Sequence, residues 1–274
     1  MPLESTGDIN LIKPIYELGV QGVFTKELDI ALLSNEADAA VHSLKDIPIV
    51  LAKGLTIAAI LERASYEDLL ITKGKNPENE KSFTLATSSI RRKAQWLEKY
   101  PTHQTENVRG NVETRISKLL NSDWDGLLMA KAAVNRLDLK LEHTFTLSWM
   151  LPAPGQGAIA VVCREDDKET IKQLSVLNHE PTTLAVSAER QFLHDLKGGC
   201  SAPISAFARI ENDVLSFDGA VHSLDGKRNF RVSKQFTRNA FHEAGSIAAQ
   251  KVLNSAEGLS LINEIFSARP EMKI

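Results

Sequence analysis

Cysteine is scarce in this sequence. Its 274 residues include only Cys163 and Cys200, too few for a disulfide framework. No apolar run approaches the ~18 residues needed to cross a bilayer. The opening Met1-Pro2-Leu3-Glu4-Ser5-Thr6-Gly7-Asp8 has neither the basic nor the apolar region of a secretory leader. The chain is therefore expected in the cytoplasm, where thiols stay reduced. The seven histidines lack metal-ligand spacing and neither cysteine has a Cys-x-x-C partner, so no metal is expected. A lysine-bearing phosphate loop and a dinucleotide fingerprint are both missing. Positive charge is not in excess either: the formal net charge is −3 and the pI is about 6.2. Without a basic face or aromatic residues interleaved among basic ones, nucleic-acid binding is not expected. Any anion must be held by a local cluster of cations.

What is present is an ordinary globular composition, 43% hydrophobic and 24% charged, long enough to bury a core. At roughly 150 residues per domain the length suggests about two domains. Phe24, Leu28, Ala31 and Leu32 fall at helical spacing and predict a helix over 24–34. Residues 39–44, 55–61, 68–72 and 83–87 read as strands, with a polar loop over 73–82. Thr87, Ser88 and Ser89 can cap a helix bearing Ile90, Ala94 and Leu97. The pattern repeats: a strand-like run over 105–108, a turn at Arg109-Gly110-Asn111, and a helical stripe through Val112, Ile116, Leu119 and Leu120. Residues 125–130 then read as a strand and lead into a helix through Arg136. Such alternation predicts α/β layers with parallel pairing. Ala158 to Cys163 reads as a buried strand in which Cys163 is a small hydrophobe. Beyond about residue 180 the character changes to a helix over 182–196 and three strand-like runs, 204–210, 214–221 and 229–236. Asn212-Asp213 and Asp225-Gly226 lie between those runs, and the second is a strong hairpin signal.

Four constellations could carry chemistry. Thr87-Ser88-Ser89-Ile90-Arg91-Arg92 offers hydroxyls, free N–H groups and two arginines at a helix start, an anion-binding arrangement. Asn107-Val108-Arg109-Gly110-Asn111-Val112-Glu113-Thr114-Arg115 repeats the theme at a second strand-to-helix turn, where open α/β sheets take ligands. Arginine forks suit carboxylates and phosphates. Solvated arginines behind a helix cap are the bland alternative. His42-Ser43-Leu44-Lys45-Asp46-Ile47-Pro48 delivers Lys45 and Asp46 at a strand end, where Asp46 could stabilise a developing cation or form only an exposed ion pair. His42 reads as a satisfied structural histidine. Cys200 lies in Lys197-Gly198-Gly199-Cys200-Ser201-Ala202-Pro203, a turn on which a thiol can be approached closely.

Together these segments, with Gly22 to Leu28 and Pro154-Gly155-Gln156-Gly157-Ala158, resemble the porphobilinogen deaminase (hydroxymethylbilane synthase) family. The resemblance runs in order from about Thr6 into the C-terminal part. It implies a transferase of tetrapyrrole and heme biosynthesis that joins porphobilinogen head to tail into linear hydroxymethylbilane and releases ammonia. It also implies a dipyrromethane cofactor held by a thioether, here to Cys200. Asp46 would contact pyrrole N–H groups and stabilise the cationic azafulvene formed when ammonia leaves. The resemblance places Ser43, Lys45, Ser89, Arg91, Arg92 and Asp46 around the cofactor. It gives Arg109, Arg115, Arg136, Gln156, Lys26 and Asn111 to the substrate. The implied fold is two α/β domains like periplasmic binding proteins plus a small α+β domain with a three-stranded antiparallel sheet. Domain 1 would take residues 1–60 and 157–178, domain 2 residues 61–156, and the cofactor-carrying domain residues 179–274, in a monomer.

One departure stands out. The family opens with a strand bearing a Gly-Thr-Arg-x-Ser-x-Leu-Ala type motif and a helix, whereas Glu4 to Asp8 match the segment of the second strand. The difference is roughly 30 to 40 residues, the scale of a βαβ unit. An interior strand lost from a sheet leaves unpaired edges, so a chain beginning here is expected to be unstable or inactive. Gln21 also stands where a basic residue is common. The alternative function is a non-catalytic two-lobed binding protein for small polycarboxylate anions, which would need neither Cys200 nor Asp46.

Overall fold

A computed structural model describes residues 25–199 and 202–268. The opening segment, with Gln21 and the expected loss of a first strand and helix, lies outside the described residues, as does Cys200.

The first helix, α1 (Lys26–Leu33), buries Ala31 and Leu32 against a small sheet. That sheet has the order β1 (Ala40–Ser43), β8 (Ile159–Arg164), β2 (Leu55–Ile60), and β8 runs antiparallel to both neighbours. Leu32, Leu44, Ile47, Leu55, Ile60, Ala160 and Val162 form its core. Cys163 is fully buried in β8 and burial pushes its thiol up, so it is the small hydrophobe expected.

A second sheet has the order β5 (Gln104–Glu106), β4 (Thr84–Ala86), β6 (Gly126–Ala130), β3 (Asp68–Thr72), β7 (Thr144–Leu147). All five residues of β3 and of β6 are buried, because helices cover the sheet. The helices α2 (Ile90–Lys99), α3 (Val112–Leu120) and α4 (Lys131–Arg136) bring Trp96 to one face and Leu119 and Val134 to the other. The expectation of parallel pairing needs correction here. Only β4–β5 and β4–β6 are parallel, whereas β3 is antiparallel to β6 and β7. The polar connection after β3 holds only a short 3₁₀ turn, Pro77–Asn79. Without a crossover helix the chain re-enters from the end at which it left. Strand β7 escaped the sequence reading although Thr144-Phe145-Thr146-Leu147 alternates polar and apolar, because the run is only four residues long.

The chain crosses between these sheets twice, after β2 and before β8. The two crossing segments bond to each other, Leu61 N to Ile159 O at 3.0 Å and Ala64 N to Gly157 O at 3.0 Å. A third layer follows α5 (Lys168–Leu174) and α6 (Glu180–Asp195). It consists of β9 (Ile204–Glu211), β10 (Val214–His222) and β11 (Asn229–Thr237), all antiparallel, with α7 (Ala244–Leu253) and α8 (Ala256–Ala268). Both turn segments join antiparallel neighbours, but the two-residue turn is the first of them. Asn212 and Asp213 both have positive φ, 51° and 57°, and Glu211 pairs with Val214. That is a two-residue turn of the primed kind. Asp225-Gly226 lies in a longer connection, where a side chain on Gly226 would strike Ala94 O of α2. Glycine there permits close approach of the third sheet to α2. Among the described residues no helix is long and apolar enough to cross a membrane.

Candidate active site

Strand β1 ends in a 3₁₀ turn, Leu44–Asp46. Leu44 is fully buried and its N–H donates to Ala158 O at 3.0 Å, so the turn is pinned to the first sheet and leaves Lys45 and Asp46 half-buried beside it. Burial lowers the Lys45 pKa, and Arg92 and Arg91 push the same way against Asp46 and Asp68.

Asp68, the first residue of β3, is wholly buried. It accepts from Arg91 Nη2 at 2.8 Å, from Arg92 Nε at 3.0 Å and Nη2 at 2.8 Å, and from Gln156 Nε2 at 2.9 Å. Burial alone would raise its pKa, but Arg91 and Arg92 outweigh that and hold it at about 2. Arg91 also donates to Leu151 O and Arg92 to Leu128 O. Part of each guanidinium fork is therefore committed inward, and each keeps N–H groups to spare. Ser89 caps α2, its Oγ accepting from Arg92 N at 3.4 Å.

The second arginine turn lies alongside. Ser88 Oγ donates to Val108 O at 2.7 Å and accepts from Val108 N at 2.9 Å, which ties the two strand-to-helix turns together. Arg109 is buried, and burial lowers its pKa. Gly110 has φ 118°, and Arg115 Nε donates to its carbonyl at 2.7 Å. Burial, then Arg92 and Arg109, bring the Arg115 pKa down to about 10 against the pull of Asp46. Like charges are thus held together out of water, which costs free energy unless an anion joins them.

The structure brings Lys45, Asp46, Ser89, Arg91, Arg92, Arg109, Arg115 and Gln156 into one neighbourhood. Gln156 is buried, and its Oε1 has no hydrogen-bond partner among the described residues. Ser43 is half-buried at the end of β1. Three of the expected residues are exposed, although Asn111 O accepts from Arg115 N at 3.0 Å and so belongs to the second arginine turn. Lys26 opens α1 exposed, Asn111 is an exposed cap accepting from Thr114 N at 2.9 Å, and Arg136 is exposed in the last turn of α4. Arg136 forms no hydrogen bond or ion pair among the described residues.

His42 is buried, and its Nε2 has no hydrogen-bond partner among the described residues. Burial lowers its pKa, opposed by Asp29 and Asp46. Four residues escaped sequence reasoning: Asp68, Arg63, Glu189 and Arg190. Asp68 left one signal, an acidic residue opening an otherwise apolar strand. Arg63 Nη1 donates to buried Glu189 at 2.6 Å, and Arg63 Nε donates to Gln156 O at 2.9 Å. Its guanidinium also lies 4.9 Å from the Phe207 ring centroid, so the crossing segment is fastened to the third layer.

Comparison with known proteins finds two family models. One, described as "Porphobilinogen deaminase, dipyromethane cofactor binding domain", matches residues 1–172. The other, "Porphobilinogen deaminase, C-terminal domain", matches residues 183–254. The chain is 41% identical over 256 residues to a porphobilinogen deaminase of Syntrophomonas wolfei, covering 92% of this chain and 83% of that one. It is 39% identical over 280 residues to that of a Synechococcus strain, covering 98% and 87%. Among solved structures, the second substrate binding domain of an amino acid ABC transporter from Streptococcus pneumoniae aligns at TM-score 0.38 with 13% identity, over 55% of this chain and 69% of that one.

Proposed function

The chain belongs to the porphobilinogen deaminase family of transferases, and on that premise we infer that it joins porphobilinogen head to tail into hydroxymethylbilane with release of ammonia. The observation that carries this is the excess of buried and half-buried positive charge around Asp46, with Lys45, Arg91, Arg92, Arg109 and Arg115 outnumbering Asp46 and Asp68. Such a cluster fits a ligand bearing several carboxylates, as the family's dipyrromethane does, and the unpartnered Oε1 of Gln156 is free to accept a pyrrole N–H. When bound, the dipyrromethane supplies the pyrrole carbon to which the first substrate unit is joined.

The protein's own groups divide the work. Cys200, with Ser43, Lys45, Ser89, Arg91 and Arg92, holds the cofactor. Arg91 and Arg92 act by charge and by their remaining N–H groups. Arg109, Arg115, Gln156, Asn111, Lys26 and Arg136 receive the incoming substrate. Asp46 faces the pyrrole N–H of the substrate and stabilises the cationic azafulvene that forms as ammonia departs, because a fixed carboxylate beside a developing cation lowers that barrier. In this reading the chain divides into domains 1–60 with 157–178, 61–156 and 179–274, in a cytoplasmic monomer that needs neither membrane nor nucleic acid. A non-catalytic binding protein is not favoured, since it would have no use for Cys200 or Asp46.

Intact mass of the purified chain tests the reading. The expected result is an increase equal to a dipyrromethane that disappears in Cys200→Ala. An unmodified wild-type mass, together with no ammonia release from porphobilinogen, would overturn it.

A further inference from the structure

One side chain from the third layer reaches back to the Asp46 turn. Arg190, on α6, donates Nη1 to Leu44 O at 3.4 Å and Ile47 O at 3.1 Å. Its Nη2 donates to Pro48 O at 2.8 Å and Ile49 O at 3.4 Å. Four carbonyls of the segment that contains Lys45 and Asp46 thus converge on one planar cation. A guanidinium suits this task because its donors are rigidly forked and its charge is delocalised, whereas an ammonium is a single point of contact.

The neighbouring residue acts on the same turn from the other side. Glu189 Oε2 accepts from Gly155 N at 2.7 Å. Gly155 has φ 75°, and a side chain there would come within 3.1 Å of Leu44 Cγ and 3.4 Å of Lys45 N. Glu189 therefore fixes the loop beneath the turn while Arg190 fixes the carbonyls that follow it. The helix ends at Asp195, and in sequence Lys197-Gly198-Gly199 and Cys200 follow it.

We propose that Arg190 is a positioning residue for Asp46. It sets the carboxylate's place relative to the helix that leads to Cys200, and does not itself touch substrate. The inference rests on the reading of Asp46 given above. Misplacing a reacting group by about 1 Å costs on the order of 10²-fold in rate, so loss of the four bonds lowers turnover more than binding.

The test uses the full chain, with cofactor loading verified by intact mass, and compares Arg190→Ala, Arg190→Lys and Asp46→Asn. In Arg190→Ala, loading and KM stay near wild type while kcat falls about 10²-fold, and added guanidinium at low concentration restores part of it. In Arg190→Lys the fall is smaller, guanidinium restores nothing, and KM is again unchanged. Wild-type kcat in Arg190→Ala beside an inactive Asp46→Asn would overturn the positioning role alone. A loss in which KM rises in step with the fall in kcat, without guanidinium rescue, would make Arg190 merely structural and also overturn it. Turnover in Asp46→Asn would instead sink the reading of Asp46. If Arg190→Ala does not fold, Arg190→Lys decides: kcat reduced at constant KM supports the proposal and wild-type kcat overturns it.

Discussion

Asp46 and Asp68 are carboxylates near the same arginines, yet burial gives them different work. Asp68 is sealed in, with Arg91, Arg92 and Gln156 occupying its oxygens, so it holds two cations in place. Removing one partner of a buried ion pair strands the other, so Asp68→Asn is expected to cost about 3–5 kcal/mol. Urea denaturation of the variant measures that loss. The pH dependence has a definite sign. The Asp68 pKa is depressed to about 2, so its contribution is complete above the unfolded carboxylate value near 4 and fades as pH falls toward 2. The contribution is about 2 kcal/mol, and the acid limb of the stability curve should flatten in Asp68→Asn. Asp46 could be read from its motif, at a strand end beside lysine. Asp68 could not, because its role depends on two arginines 23 and 24 residues away.

Helix α2 joins the arginine turn to the third layer. Its first turn carries Arg91 and Arg92, Gln95 Nε2 donates to Ser205 Oγ at 3.0 Å, and Glu98 accepts from Asn229 at 3.0 Å and Arg231 at 2.7 Å. Glu98 also pairs with the fully buried His222 at 2.9 Å. Burial lowers the His222 pKa to about 4, with Glu98 opposing. The unfolded chain therefore takes up a proton below about pH 6.5 that the folded chain refuses. Stability is accordingly lost as pH falls from about 6.5 to 4, by about 3 kcal/mol. Urea midpoints at pH 7 and pH 4.5 test this, with His222→Gln expected to flatten the difference. The spacing of Ile90, Ala94 and Leu97 predicts the helix. Nothing in that spacing says that Gln95 and Glu98 face a sheet more than 100 residues later.

At the scale of the whole molecule, a chain of net charge −3 concentrates cations in one cleft. Substrate affinity should therefore depend on salt although the global charge is unfavourable. KM for porphobilinogen is expected to rise several-fold between low and high ionic strength with kcat little changed, because screening weakens binding more than the enclosed chemistry. Steady-state rates across a salt series measure it. The sequence by itself determined the local elements, since hydrophobic period, capping hydroxyls and turn residues act within a few positions. The arginine turns and the Lys45-Asp46 pair were legible for the same reason. Long-range packing alone made the second sheet mixed and brought Arg63, Asp68, Glu189 and Arg190 to the support of the site. Those features arise where the chain crosses between sheets and returns, so their partners are separated by tens of residues or more and leave no periodic trace along the sequence.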